Sequence, residues 1–536
     1  MIVKQPKLIK ITYFCVTVLA IIATGWLLAG TVTGYYKFPY DTFHANTNQL
    51  IGAIFGSLIF LMLLWYSAKW FATRFTGWLL LFLSVMSIPK IIMIYSFRLN
   101  LISDMWSYNV LGGSRANGDS WQWLYHVRAL DLDSIFPHVI HIGNFYHYLY
   151  KVVVNSPKVV QWFNIGISVL SAILILNIVS YFFNRQTGMF AALTFFFLPT
   201  WYIYTTLLGA EPVWLFALLM SMSLLNRLVT YRSLKDRHFW IDAGWIVVAL
   251  YFAQNIRPLS MVIVIAYGLF VWFKFKEPLK RHEHPKAVWV PRIGILAVVL
   301  VFFGLTQIEP KVDQFVYGVP IAKSSIGQEY TLATGTTIKT GGMWSSKLVK
   351  KLEKYNHDQT LTPAQKFAGF DQVLKKQLKA NTEALTKNGK WKDFLFRKNE
   401  ILMQPDYGPV LFWNNTRKPN YMWEDLTPFE IGTLTNLVTG FQIAVLILVL
   451  IGMLPQLVSR MDDLSGIHEK NGVFVNEIVM IGMTLIFMAV EVQSRYQVAF
   501  YIPWMMISSL GMSYVVPNFS LKEKPSHSEI PVSVKN

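Results

Sequence analysis

The feature that most constrains this chain is its series of uninterrupted apolar runs, several of them long enough to cross the ~30 Å hydrocarbon core of a bilayer. Inside lipid every backbone N–H and C=O must be satisfied within the protein, which leaves helices for runs of this length. Hydrophobic residues make up 54% of the 536 positions. The expected fold class is therefore an all-α polytopic membrane protein, with spans at about 11–30, 49–66, 77–97, 160–183, 187–206, 210–228, 240–254, 257–273, 291–308, 432–453, 474–490 and 496–515, roughly twelve in all.

The net charge of +18 fits this architecture without any nucleic acid partner, because much of it falls in short loops that the positive-inside rule places in the cytoplasm. Lys4, Lys7 and Lys10 put the N-terminus inside, and Lys69 with Arg74 mark the next cytoplasmic loop. The first run, Ile11 to Leu28, reads as a retained helix, being long and followed by no small-residue cleavage pattern. Cys15 is the single cysteine, so no intramolecular disulfide forms.

The stretch at 139–154 decides the threading, since every later span would invert if it crossed the membrane. Basic loops with Arg227, Arg232, Lys235 and Arg237, and with Lys274, Lys276, Lys280, Arg281 and Lys286, fall inside only if it lies at the interface. The resulting organisation is N-terminal spans over 1–97, a first large outer loop with interfacial helices over 98–158, and a central membrane module over 159–308. A mixed soluble outer insertion over 309–430 follows, with an amphipathic stretch around Ala364 to Leu385, then C-terminal spans over 431–517 and a cytoplasmic tail over 518–536.

With the chain threaded in this way, Asp104, Glu211, Arg257, Glu491, Arg495 and Tyr496 all fall at outer helix ends. Ionisable groups at the edge of an apolar region are costly and tend to face a water-filled cavity or a partner. Each has a plain structural alternative. Asp104 can cap or turn the chain, Glu211 with Pro212 can simply start a helix, and Glu491 with Arg495, four apart, can form a local ion pair. Arg257 and Arg495 each precede an inward-running helix, whose positive dipole end disfavours a cation unless an anion is also bound, and phosphate is such an anion. Either can instead snorkel to lipid headgroups.

Asp131 and Asp133 form an acid pair that is a candidate for a divalent metal ion, with chance spacing as its alternative. His126, His138, His141 and His147 cluster in sequence, but their spacing fits no standard zinc signature. There is no Walker loop, dinucleotide fingerprint or nucleophile elbow, so nothing supports a nucleotide-driven machine.

Ser103, Asp104 and Tyr108 in the first outer loop, Glu211 with Pro212, Arg257 with Pro258, and the late Glu491, Arg495, Tyr496 and Pro503 run resemble the membrane glycosyltransferases of the C superfamily (GT-C), close to the protein O-mannosyltransferase and aminoarabinose transferase type. The pattern covers most of residues 80–515. Asp104 follows a serine, not the second acid of the family motif, and three spans precede the first outer loop where many members have one.

The resemblance implies a GT-C-like fold and an inverting transfer of a sugar from a polyprenyl (undecaprenyl) phosphate carrier to a glycan, lipid or protein acceptor outside the cytoplasmic membrane. Asp104 would be the catalytic base, while Arg257, Arg495, Tyr496 and Lys398 would hold the phosphate. Glu211, Tyr108 and Glu491 would orient substrate, and Trp391, Trp413 and Trp423 would be available to stack on sugar rings. No cofactor beyond a possible divalent metal ion is implied. A transporter or flippase of polyprenyl-linked sugars, and a non-catalytic envelope scaffold, are the competing readings. The first predicts charges spread along a translocation path and the second predicts unrelated helix-end charges.

Overall fold

The computed structural model describes residues 6–37, 45–130, 132–274, 285–405, 407–417, 428–458 and 466–516. Asp131, Trp423, the loop basics Lys276, Lys280 and Arg281, and the tail from 518 lie outside the described residues. The chain opens with α1 (Lys7–Tyr36), α2 (Thr47–Ala72), and α3 (Thr76–Val85) continued by α4 (Ile88–Ser96). After the two-residue strand β1 (Arg98–Leu99) come α5 (Ser103–Ala116), α6 (Trp121–His126) and α7 (Pro137–Val152), which form the first large loop.

The central module holds α8 (Pro157–Phe182), α9 (Arg185–Phe197), α10 (Pro199–Tyr204), α11 (Glu211–Leu228), α12 (Arg237–Ile256), α13 (Ser260–Phe273) and α14 (Val290–Tyr317). The insertion contributes α15 (Ser324–Gly335), α16 (Ser346–His357), α17 (Pro363–Lys387), α18 (Trp391–Leu402), α19 (Pro409–Asn415) and strand β2 (Thr416–Arg417). Finally α20 (Pro428–Val458), α21 (Ile467–Ala489) and α22 (Tyr501–Val515) complete the bundle.

Among the described residues, nine helices are long and apolar enough to cross a membrane. Three of the expected spans are not among them. The run at 187–206 is broken where Leu198 leaves helical geometry ahead of Pro199, α13 has only 14 residues, and Glu211, Asn226 and Arg227 dilute the hydropathy of α11. α9 and α11 are buried along most of their length, so their neighbours in the bundle, not lipid, receive their apolar surface. The first three spans differ, burying only 28% of their apolar windows and leaving the remaining face to the bilayer.

Side-chain pairs give the helix directions. Tyr13 and Thr17 bond Asn471 and Glu477, so α1 and α21 run parallel. Tyr35 and Thr31 meet Asn436 and Gln442, so α20 runs antiparallel to α1. α7 starts beside the cavity described below and hands over to α8 at the same end of the bundle, where Gln161 and Asn164 hold the carbonyls of Thr206 and Leu207.

The insertion, expected to be mixed, has only helices as regular structure among its described residues apart from β2, which pairs antiparallel with β1. α17 begins with a reciprocal capping box between Thr362 and Gln365, the arrangement that satisfies two orphan donors at a helix start. Leu132 and Ile135 of the first loop share one small core with Ile326, Tyr330, Leu352 and Phe370 of the insertion. That shared core fixes the two polar segments to each other over the end of the bundle.

Candidate active site

Each candidate side chain is set by a local break in helix. Pro258 forces the residue before it out of helical geometry, so Arg257 ends α12 in extended backbone with φ −145° and ψ 120°. Glu211 opens α11 with Pro212 behind it, where an acid and a first-turn proline are both favoured. Asp104 lies in the first turn of α5, after Ser103 in the left-handed region at φ 52°. The backbone just before it is tied to the insertion, since Ile102 N donates to Asn415 Oδ1 at 3.0 Å. Arg495 follows an extended segment bonded to the insertion by Glu491 N to Thr331 O at 2.9 Å and Val492 N to Gly342 O at 3.0 Å.

These breaks converge. Arg495 bonds the Asp104 carboxylate, its Nε lies 3.9 Å from Glu211 Oε1, and Arg257 donates to the same Glu211 oxygen at 2.6 Å. Tyr204 donates to the other Glu211 oxygen, in a turn so tight that a Cβ on Gly209 would strike the Tyr204 ring. Asp104, Arg495, Glu211 and Arg257 thus form a row of alternating charge drawn from four separate stretches of chain. Both guanidinium groups sit against the Tyr496 ring, 5.4 and 5.9 Å from its centroid, a favourable placement for a cation over an aromatic face.

A cavity of about 270 Å³ opens beside this row. Asp104, Arg257, Arg495, Tyr496 and Glu491 line one part of its wall, while Tyr330, Thr331 and Trp344 of the insertion face them. The Asp104 side chain keeps 32% of its surface exposed, whereas Glu211 is buried. The Nε groups of Arg257 and Arg495 are buried without a hydrogen-bond partner. Two cavity-lining guanidiniums therefore each hold a spare donor, which an anionic ligand would satisfy.

Burial would raise the Asp104 carboxyl, but Arg495 and Arg257 outweigh it and hold the group well below the usual carboxylate range. His138, also on the wall, is pushed down to about 3, chiefly by burial and then by Arg257. Glu491 moves the other way, raised by burial despite the hydrogen bond from Gln493 at 2.7 Å. Tyr108, buried one turn after Asp104, is raised by burial and by that carboxylate, and its hydroxyl has no partner.

Several expectations change. Glu491 and Arg495 do not pair with each other, because the chain between them is not α-helical and Arg495 is taken by Asp104. The anions that answer the two arginines are carboxylates of this chain, which accounts for their position without a bound phosphate. Lys398 does not reach the cavity. It is fully buried and donates to the carbonyls of Gly335, Met488 and Val490 at 2.8, 3.0 and 2.6 Å, with burial pushing its ammonium down to about 7. Its place is behind the wall, holding the segment that carries Glu491.

Asp133 lines the cavity, while its partner in the proposed metal pair, Asp131, lies outside the described residues. Trp391 donates its indole N–H to Thr386 and, like Trp413, is not on the cavity wall, where Trp344 stands instead. Tyr204, Tyr330 and Trp344 escaped sequence reading, since nothing in their spacing separates them from the other aromatic residues, and His138 stands out only within a histidine cluster of no zinc spacing. Searches of protein-family models, curated proteins and solved structures find no match to this chain.

Proposed function

We propose that the chain is an inverting glycosyltransferase that moves a sugar from a polyprenyl phosphate carrier to an envelope acceptor on the outer face of the cytoplasmic membrane. The observation that carries this reading is Asp104, a partly exposed carboxylate at a cavity, held by an arginine whose own Nε remains unsatisfied. The cavity sits where apolar helices meet a helical polar cap, within reach of a lipid-borne donor and a polar acceptor.

In the resting arrangement Asp104 is a weak base, because Arg495 stabilises its charged form. A donor phosphate entering beside Arg495 and Arg257 would compete for both guanidiniums and loosen the Asp104 pair. Asp104 then accepts the proton of an acceptor hydroxyl as that oxygen attacks the anomeric carbon. The bond from that carbon to the phosphate oxygen breaks on the opposite face, and polyprenyl phosphate leaves with its charge against the arginines. Glu211 holds Arg257 in place throughout.

The test supplies membranes with labelled polyprenyl phosphate sugars and compares wild type with Asp104→Asn. Loss of a general base costs about 10²–10⁴ in rate, so transfer falls by that factor with expression unchanged. Equal transfer by both proteins would sink the assignment. Labelled donor that crosses the bilayer without transfer would favour the flippase reading instead.

A further inference from the structure

Outside this cavity, one turn further along α7, a histidine and two carboxylates converge with no lysine or arginine partner among the described residues. His141 Nε2 lies 3.2 Å from Asp313 Oδ2 and 4.0 Å from Glu309 Oε1, and one ligand atom from each of the three falls within 4.8 Å of the others. The side chains are largely withdrawn from solvent, His141 at 10%, Glu309 at 14% and Asp313 at 6% exposure. No lysine or arginine among the described residues forms an ion pair with either acid. Two largely buried carboxylates this close together repel each other, an arrangement that a bound cation would relieve.

Hydrogen bonding makes the same demand. Both His141 Nε2 and Asp313 Oδ2 are buried without a hydrogen-bond partner although they face each other. The other ring nitrogen, Nδ1, is 2.8 Å from the Tyr317 hydroxyl. With Nδ1 donating to Tyr317, Nε2 presents its lone pair to the carboxylates, which is the tautomer of a metal-ligating histidine with its outer partner in place. Asn255, its amide turned to the bonding orientation, donates to Glu309 Oε1 at 3.2 Å and steadies that carboxylate.

We propose that His141, Glu309 and Asp313 bind a divalent transition-metal ion, with Zn²⁺ the best match to one imidazole and two carboxylates. Three protein ligands leave a fourth tetrahedral position for water, and an imidazole nitrogen disfavours Mg²⁺ and Ca²⁺, which prefer oxygen alone. The three ligand atoms, within 4.8 Å of one another, would draw together by about 1–1.5 Å to reach tetrahedral spacing around zinc. α14, with 28 residues, is about 42 Å long and outruns the ~30 Å hydrocarbon core, so its last turns are free to carry a polar site. The ion would clamp α7 to α14, one turn from His138 and Val139 on the cavity wall. This site does not depend on the reaction proposed above.

Purified full-length chain, stripped with chelator in detergent micelles, is titrated with Zn²⁺ by calorimetry. One site per chain is expected, with affinity falling at least tenfold in Glu309→Gln and in Asp313→Asn. Tyr317→Phe, which removes only the outer partner, should weaken binding by about 10–100-fold. Zn²⁺ should raise the unfolding midpoint of wild type and leave that of the double variant unmoved, with gel-filtration profiles alike. Wild type binding Zn²⁺ no more tightly than the Glu309→Gln, Asp313→Asn double variant overturns the proposal, as does tighter binding of Mg²⁺ than of Zn²⁺.

Discussion

Asp104 and Glu491 line one cavity, yet their surroundings push them in opposite directions. Arg495 and Arg257 keep Asp104 ionised in the free protein far below neutral pH, and His138 stays neutral down to about 3. Neither group should titrate in kcat/KM, which reports the free enzyme, between pH 5 and 8. In the proposed transfer, donor phosphate drawing Arg495 away would remove the charge that depresses Asp104, so the acid limb of kcat should lie at higher pH than that of kcat/KM. Coincident limbs in the two profiles would contradict this competition. Glu491 supplies a second test. Its carboxyl is raised in the folded state, so its charged form opposes folding at pH 7, and stability gained by protonation appears as pH falls below the raised value. Glu491→Gln, keeping an acceptor for Gln493, should raise the thermal midpoint at pH 7 and leave it little changed at pH 4.

At the scale of elements, the cavity exists because helix ends are held against the insertion by single polar contacts. Lys398 on α18 fastens the last turns of α15 and α21 by three carbonyls, and Glu491 and Arg495 hang from that junction. Lys398→Met should cost at least about 1–3 kcal/mol through orphaned buried carbonyls, read as a lower denaturation midpoint, and should also slow transfer. Donor affinity unchanged alongside a lower kcat would mark Lys398 as a positioning residue. At the other side of the row, Arg257→Ala leaves Glu211 buried with only Tyr204 and a 3.9 Å approach from Arg495. Breaking a buried pair in this way costs about 3–5 kcal/mol, so this variant should be markedly less stable than Asp104→Asn, whose partner Arg495 retains Glu211. Thermal unfolding of the two variants side by side checks the order.

The bundle as a whole depends on close helix crossings that lipid alone would not enforce. α20 and α22 meet where a Cβ on Gly511 would land on the Leu448 carbonyl and one on Gly452 on the Ile507 carbonyl. Small residues of this kind let backbones approach in a membrane, where packing replaces the hydrophobic effect as the driving force. Gly511→Val should lower stability by about 1–3 kcal/mol through overpacking and should displace Arg495, which sits just ahead of α22. A melting temperature equal to wild type would show that the crossing can open to admit a larger side chain at Gly511.

Apolar run length by itself determined the helical membrane class, because lipid admits few other solutions, and most spans appear near their expected positions. The positions of Asp104, Glu211, Arg257 and Arg495 at helix breaks were also legible, since Pro212 and Pro258 punctuate the chain beside two of them. Pairing was not. Which carboxylate answers which arginine, the withdrawal of Lys398 behind the wall, and the meeting of His141 with Glu309 and Asp313 are contacts between residues far apart in the chain. A charged residue in sequence carries no record of its partner, because its burial and hydrogen bonds arise only when the helices pack.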